Sequence, residues 1–253
     1  MSFRLPSLIV GLARYGGVVA LPGLILFLAC KLIGRKARLV LKFKQHRWLA
    51  ATDRPSGLNF FHEVIVRESY GAIAADIRGF SHPLVLDIGA NCGAFALWTL
   101  SENPGARVIS FEPGGAFENL VANRELFLEG ERRRERTDLW QAERCAVSSV
   151  NGTARFADDP GSSMGRLTGE GGQEVPVRRI DSLDLTPEIL KIDIEGHELE
   201  ALKGAERTLK TTRLIVLEYH SEALHRECAA FLWEAGFEVR EVPGTELLVA
   251  RPS

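Results

Sequence analysis

Two acidic residues, Asp87 and Glu112, have the spacing of a cofactor-binding acid pair. Each ends an apolar run, and they lie 112 − 87 = 25 positions apart, about one strand-helix-strand unit. A turn that contains Gly89 and Gly93 comes directly after Asp87. In such a unit both acids lie at the carboxyl edge of a parallel sheet. The pattern predicts a binding site for a nucleoside cofactor.

The turn after Asp87 distinguishes between three cofactor classes. It lacks the GxGxxG of a nicotinamide site and the GxxxxGK[ST] of a phosphate-binding loop, and Asp87 would repel a pyrophosphate. S-adenosylmethionine has no phosphate, so Asp87 can face its cationic amino-acid end. Glu112 would bind both hydroxyls of its ribose. The turn residues expected to approach this cofactor closely are Gly89, Ala90, Asn91 and Gly93.

The elements that position these residues alternate between strands and helices. Continuous apolar runs predict buried parallel strands, and the segments between them predict helices. The predicted strands are 84–88, 108–111, one within 139–147, 189–194 and 214–219, and the predicted helices are 61–79, 93–101, 117–128, 198–209 and 222–235. Residues 151–180 predict an inserted hairpin, and 236–251 a closing antiparallel hairpin. The order predicts an α/β fold with a doubly wound, mostly parallel sheet.

Four segments resemble the FkbM family of S-adenosylmethionine-dependent methyltransferases. They are DIGANCGAFAL from Asp87, FEP from Phe111, Ala146-Val147, and LKIDIEGHELEALKGA over 190–205. The resemblance runs in order from about residue 62 to 220, and the last segment is the most specific. It implies a class I, Rossmann-like methyltransferase fold, with S-adenosylmethionine as cofactor. It also implies methyl transfer to a hydroxyl of a sugar, lipid or polyketide-like molecule.

Methyl transfer to a hydroxyl needs an aligned acceptor oxygen, and a base or a metal that assists its deprotonation. Candidates lie where the fourth and fifth predicted strands end. We expect Asp193 to line the cofactor and acceptor pockets, and Glu195 to orient the loop or the acceptor. His197 is a candidate base, and His220 is an alternative.

A divalent metal is a further possibility at these strand ends. Asp193, Glu218 and His220 offer ligands that suit Mg²⁺ or Mn²⁺. No compact ligand motif supports the site, so the sequence predicts no metal.

The first 52 residues differ from the rest in charge. They hold nine Lys/Arg and no Asp or Glu, which leaves 31 − 9 = 22 basic and 33 acidic residues over 53–253. The uncharged segment Tyr15–Cys30 is followed by a cluster of basic residues. This arrangement favours a membrane anchor, spanning or re-entrant, that contacts anionic lipid. A helical extension packed on the catalytic domain or on a partner is the second interpretation, and nucleic-acid binding is unlikely because few aromatics interleave the basic residues.

These observations divide the chain into an apolar, basic segment, 1–52, and a methyltransferase domain, 53–253. They predict a membrane-associated protein with its catalytic domain in the cytoplasm. The four cysteines form no CxxC pair, which fits a reducing compartment. The expected acceptor is a small molecule, a glycan or a lipid, and the oligomeric state stays open. The alternatives are an NAD-dependent oxidoreductase and an inactive, membrane-tethered module that binds the cofactor.

Overall fold

The computed structural model describes residues 29–30, 32–33, 35, 38–51, 56–131, 136, 138–158 and 165–253. In chain order its strands are β1 Arg38–Phe43, β2 His46–Ala51, β3 Leu84–Ile88, β4 Arg107–Phe111, β5 Trp140–Glu143, β6 Ala146–Val147, β7 Gly152–Asp158, β8 Gly165–Thr168, β9 Gln173–Arg178, β10 Ile189–Ile192, β11 Leu214–Glu218, β12 Phe237–Glu241 and β13 Leu247–Pro252. Its α-helices are α1 Ser56–Phe60, α2 Ala74–Gly79, α3 Ala94–Glu102, α4 Phe117–Glu131, α5 Glu198–Lys203, α6 Glu206–Leu209 and α7 Glu222–Glu234.

A seven-stranded sheet forms the centre of the molecule, in the order β12-β13-β11-β10-β3-β4-β5. Strands β11, β10, β3, β4 and β5 are mutually parallel, whereas β13 is antiparallel to both of its neighbours. The predicted α/β fold with a mostly parallel sheet and a closing hairpin is confirmed. The chain runs from β3 outward to β4 and β5 and then returns to β10 on the other side of β3. The strand order therefore reverses between β3 and β10.

Both faces of the central sheet are covered, which explains the continuous apolar runs of its strands. Alternate side chains enter two separate clusters: Val85 belongs to one, and Leu86 and Ile88 belong to the other. Side chains of successive strand residues point to opposite faces, so a strand buried on both faces must be apolar throughout.

The region before β3 is less regular than the predicted helix 61–79. A π-helical turn, Phe61–Val66, follows α1, and a 3₁₀ turn, Gly71–Ile73, precedes α2. The inserted segment is also larger than a hairpin, because β6 to β9 form a four-stranded sheet in the order β6-β9-β7-β8.

Residues 38–51 form an antiparallel hairpin rather than the helical extension that the sequence suggested. The segment Arg38–Phe43 alternates exposed and buried residues, which is the period of a strand with one buried face. Trp48, at 0% exposure, donates from Nε1 to Gly57 O at 2.8 Å and lies in the same cluster as Val85. The hairpin is therefore part of the main core.

The predicted membrane span is wrong for the part of the chain that the structure describes, since none of its helices is long and apolar enough to cross a bilayer. Most of the uncharged segment 15–30, on which the prediction depended, lies outside the described residues. Two residues of the basic region also have partners within the chain: Lys44 pairs with Glu102 at 2.7 Å and Arg47 with Glu129 at 2.6 Å. The predicted location is corrected accordingly.

Asn123 joins the hairpin to the turn after β3. Its Oδ1 accepts from Leu49 N at 2.6 Å, and its Nδ2 donates to Cys92 O at 3.0 Å. We expect Asn123→Ala to lower the free energy of unfolding by about 2 kcal/mol, because buried backbone groups lose their partners. Glu129→Ala, which removes an exposed ion pair between the same helix and hairpin, should cost less than about 0.5 kcal/mol in the same urea titration. Equal losses in the two variants would contradict this role of Asn123.

Candidate active site

A cavity of about 320 Å³ opens at the carboxyl edge of the sheet, above the reversal point between β3 and β10. Open parallel sheets bind their ligands at this place, and the volume lies in the range of small-molecule sites. The small sheet contributes Phe156, Asp158 and Leu167 to its wall, and the π-helical turn contributes Glu63.

Lys191 is the buried cation beneath the cavity. It lies opposite Asp87 in the register of β10 and β3, and its side chain is 4% exposed. Its Nζ lies 3.3 Å from Asp87 Oδ1, 3.4 Å from Asp193 Oδ2 and 2.7 Å from Gly89 O, to which it donates. Burial alone lowers the pKa of Lys191, but Asp193 and Asp87 raise it by more, so that the net shift is upward. One charged ammonium thus holds two carboxylates and the turn in place.

The turn after β3 requires glycine at two positions. Gly89 has φ +75°, and a Cβ there would lie 1.8 Å from Asp193 O. Gly93 has φ +87°, and its Cβ would lie 2.5 Å from the Trp140 ring. A side chain at either position would meet both a steric clash and an unfavourable backbone conformation. The close approach that these glycines allow is therefore between parts of the protein itself.

Glu112 closes the other side of the turn. Its Oε2 accepts from Asn91 N at 2.9 Å and its Oε1 from Gly114 N at 2.7 Å. The residue is 7% exposed. Burial raises the pKa of the Glu112 carboxyl to about 7, although the two amide donors act in the opposite direction. Each oxygen keeps a second lone pair, so the carboxylate can still accept from a ligand hydroxyl.

The structure brings most of the predicted site residues to this cavity. Asp87 and Gly93 do not line it: Asp87 is fully buried, and its Oδ2 accepts from Ser110 Oγ at 3.2 Å. The geometry gives Asp87 contact with Lys191, and its contact with the cofactor stays a prediction. The predicted residues that line the cavity are Gly89, Ala90, Asn91, Glu112, Asp193, Glu195 and His197.

His220 lies at the centre of the polar cluster that follows β10 and β11. Its Nδ1 lies 2.8 Å from Oε1 of the fully buried Glu198, and its Nε2 lies 3.6 Å from Asp193 Oδ1 and 3.4 Å from Glu195 Oε2. Burial lowers the pKa of His220, but the bond to Glu198 and the charges of Asp193 and Glu195 raise it by more, so that the net pKa is about 9. The cluster therefore stabilises positive charge at Nε2.

His197, the other candidate base, has a different environment. Its Nε2 lies 3.0 Å from Ser148 Oγ, and the residue precedes α5. It lines the cavity but is not among the cation-ligand candidates of the described residues, which are Asp193, Glu195 and His220. The geometry favours His220 over His197 for chemistry that involves Asp193.

Sequence reasoning missed Lys191 and Glu63. Lys191 belongs to the motif at 190–205, but its pairing depends on the register between strands that are far apart in the chain. Glu63 lies on the π-helical turn, and burial, followed by the charge of Asp193, raises its pKa. Their only sequence signal was a charged residue within an otherwise apolar segment.

The open α/β sheet with acids at its reversal point agrees with the architecture of class I methyltransferases. The chain matches the Methyltransferase FkbM domain over residues 87–239, more than half of its length. It belongs to the FkbM methyltransferase family. The predicted family and its cofactor, S-adenosylmethionine, are thereby confirmed, and the oxidoreductase alternative is excluded.

The proteins to which the chain is similar in sequence include two named methyltransferases. Hexuronic acid methyltransferase AglP of Haloferax volcanii is 28% identical over 59% of this chain and 61% of its own. Methyltransferase sdnD of Sordaria araneosa is 28% identical over 70% of this chain and 82% of its own. The match thus spans less than two thirds of the length of AglP.

A solved structure has the same fold. The crystal structure of Methyltransferase FkbM from Methylobacillus flagellatus superimposes with a TM-score of 0.54 at 20% identity, over 77% of this chain and 52% of that chain. At this level of identity the similarity concerns the fold.

The residues of the cavity fit S-adenosylmethionine. Glu112 would offer a buried carboxylate to the ribose hydroxyls, and Pro113, Ala146 and Val147, which also line the cavity, would provide apolar surface for an adenine ring. Acidic side chains on the opposite wall, among them Asp193, suit the cationic sulfonium and ammonium groups.

Proposed function

We propose that the protein transfers a methyl group to a hydroxyl oxygen of a small-molecule, glycan or lipid acceptor. The observation that carries the proposal is the cluster of Asp193, Glu195 and His220 at the cavity that the cofactor would occupy. A hydroxyl is a weak nucleophile, and a carboxylate–imidazole cluster is the kind of group that assists its deprotonation. The hexuronic acid substrate in the name of one relative agrees with an oxygen acceptor.

Each part of the site has a role in this reaction. When bound, S-adenosylmethionine supplies the methyl group, and the electron pair of the broken carbon–sulfur bond stays on sulfur. Glu112 fixes the ribose, and Lys191 holds Asp193 in position from below. The acceptor oxygen forms its new bond to carbon while its proton leaves toward the polar cluster. Much of the rate acceleration comes from alignment and from exclusion of water.

The experiment is incubation of the purified protein with methyl-labelled S-adenosylmethionine and separate glycan, lipid and metabolite fractions. We expect a labelled methyl ether, identified by mass spectrometry and by the chemical shift of the methyl carbon. Asp193→Asn should abolish the product, whereas Glu118→Gln, an exposed residue that pairs with Arg144, should not change it. Label on nitrogen, sulfur or carbon alone would contradict the proposal.

The charge of the cavity predicts a preference for neutral over negatively charged acceptors. Seven carboxylic acids line the cavity, whereas the cationic side chains among its described residues are Lys191 and His220. Like charges that face each other in a binding site cost several kcal/mol. We therefore expect a neutral glycoside to be methylated with a kcat/KM at least about tenfold higher than that of the matching uronate.

The comparison should be made with paired neutral and uronate acceptors at one ionic strength. Glu246→Gln removes one acid from the cavity wall and should reduce the discrimination. Glu241→Gln removes an exposed acid that pairs with His225 outside the cavity and should leave it unchanged. A preference for the uronate in the unaltered protein would refute the electrostatic argument.

A further inference from the structure

We propose that Asp193, Glu195 and His220 bind a divalent cation that contacts the acceptor hydroxyl. The inference deepens the proposed function and rests on it for the identity of the acceptor group. The three side chains come from the loop after β10 and the end of β11, and each offers one ligand atom to the same space. The sequence had suggested a different set, with Glu218 in place of Glu195, and had predicted no metal.

The distances suit a shared ion. One ligand atom from each of the three side chains lies within 4.8 Å of the other two. The closest approaches are 3.4 Å, from His220 Nε2 to Glu195 Oε2, and 3.6 Å, from His220 Nε2 to Asp193 Oδ1. Ligands that surround one first-row cation at about 2.0–2.2 Å lie roughly 3 Å apart. Small side-chain rotations would complete the site.

Buried residues behind the cluster orient two of the three ligands. Glu198 is fully buried, and its Oε1 accepts from Gly196 N at 2.9 Å as well as lying 2.8 Å from His220 Nδ1. This arrangement of carboxylate, imidazole and metal is the common support of a histidine ligand, because it fixes the tautomer with Nε2 free to bind. Lys191 holds Asp193 Oδ2, so that Oδ1 faces His220.

The same orientation argues against a simple histidine base. Glu198 holds Nδ1 of His220, so that Nε2 points at the oxygens of Asp193 and Glu195. Two carboxylates that converge on one space require positive charge between them, which either a proton on Nε2 or a divalent cation bound to Nε2 can supply. A base that served the acceptor would need Nε2 directed at the acceptor oxygen instead.

The donor set indicates which cation fits. Two carboxylates and one imidazole suit Mn²⁺ better than Ca²⁺ or Mg²⁺, which favour oxygen ligands alone. Three protein ligands leave coordination positions for water and for the acceptor hydroxyl. A bound ion would lower the pKa of that hydroxyl, whose proton would pass by way of the polar cluster to solvent while the oxygen attacks the methyl carbon.

The test measures Mn²⁺ binding directly, by electron paramagnetic resonance of free Mn²⁺ in titrations of the full chain. We expect one site per chain with a Kd below about 1 mM. Glu195→Gln and His220→Gln should each weaken it at least tenfold while both variants stay folded, as their measurable binding of S-adenosylhomocysteine would show. His225→Gln, a histidine that pairs with Glu241 away from the cavity, is the matched control and should bind normally.

Two results would overturn the inference: no binding at millimolar Mn²⁺, or equal binding in Glu195→Gln, His220→Gln and the unaltered protein. Activity provides a separate readout. Methyl-ether formation that persists in EDTA would refute the cation's role but leave the proposed function intact. Site-specific Mn²⁺ binding without any methylated hydroxyl would support the metal site and refute the acceptor class.

Discussion

Lys191→Met is expected to lower the free energy of unfolding by about 3–5 kcal/mol at pH 8, the usual cost of removing one partner from a buried ion pair. Lys191 Nζ lies 3.3 Å from Asp87 Oδ1 and 3.4 Å from Asp193 Oδ2, and it also donates to Gly89 O. Methionine has a similar length and fills the same space without the charge. The loss therefore measures two uncompensated carboxylates and one unpaired carbonyl rather than a cavity.

The pH dependence of this loss has a definite sign. Without the ammonium, the pKa of the Asp87 carboxyl, which burial already raises, rises further in the folded state, so that the folded protein takes up protons as pH falls. The loss of unfolding free energy in Lys191→Met should accordingly be smaller at pH 5 than at pH 8. Lys191 itself stays charged over this range, because its pKa is raised above the ordinary value of 10.5.

Two further variants test whether the loss of stability in Lys191→Met is due to the buried charge. Lys203→Met removes an exposed lysine that pairs with Glu200 within one helix, and should leave the free energy of unfolding nearly unchanged. Adding Asp87→Asn to Lys191→Met should recover part of the loss, since one buried charge is removed with its partner. Urea unfolding at both pH values provides the free energies. A deficit of Lys191→Met below about 1 kcal/mol at pH 8 would refute the proposed charge arrangement.

The central sheet was predictable because its strands are buried on both faces. Strand β3 was predicted with its observed bounds, and most other sheet strands within one or two residues, since short continuous apolar runs between turns are typical of buried parallel strands. The hairpin at 38–51 was not predicted, because the basic residues of this region were interpreted as the lipid-contacting flank of a membrane anchor. The period-two pattern of Arg38–Phe43 was nevertheless present in the sequence and indicated a strand.

Only those site residues whose position follows from a single strand could be predicted from the sequence. Glu112 and Asp193 follow apolar strands, so their place at the sheet edge follows from the pattern alone. The contact of Asp87 with Lys191 depends on the register between β3 and β10, which are 191 − 87 = 104 positions apart at these residues. The support of His220 by Glu198 likewise depends on how α5 packs beside β11. Such contacts between distant segments have no periodic signal in one sequence.

Glu112→Gln is expected to weaken the binding of S-adenosylhomocysteine by about 10- to 100-fold at pH 8, since charge-assisted hydrogen bonds contribute about 1.5–3 kcal/mol each. Glutamine keeps the size of the side chain and one acceptor oxygen but loses the charge. Isothermal titration calorimetry provides the affinities. Glu118→Gln, an exposed acid on the neighbouring helix α4, is the matched control and should bind as the unaltered protein does.

The pKa of Glu112, raised to about 7 by burial, also predicts how pH acts on the unaltered protein. The ionised fraction falls from about 90% at pH 8 to about 10% at pH 6, so affinity should fall by up to about tenfold over this range. In Glu112→Gln the fall in affinity that is due to protonation of Glu112 should vanish. The only pH dependence left should then come from titration of the ligand itself. An equal pH dependence in both proteins would show that Glu112 is not the group that binds the ribose.

The same pKa predicts an opposite effect on stability. The folded state binds the proton of Glu112 more tightly than the unfolded chain, whose carboxyl has an ordinary value near 4.5. Stability without ligand should therefore rise as pH falls from 8 to 6, by about 1 kcal/mol from this group. Ligand affinity and intrinsic stability thus move in opposite directions over one pH interval. Thermal unfolding of the unaltered protein at pH 6 and pH 8, with and without S-adenosylhomocysteine, should consequently show the largest ligand-induced rise in Tm at pH 8.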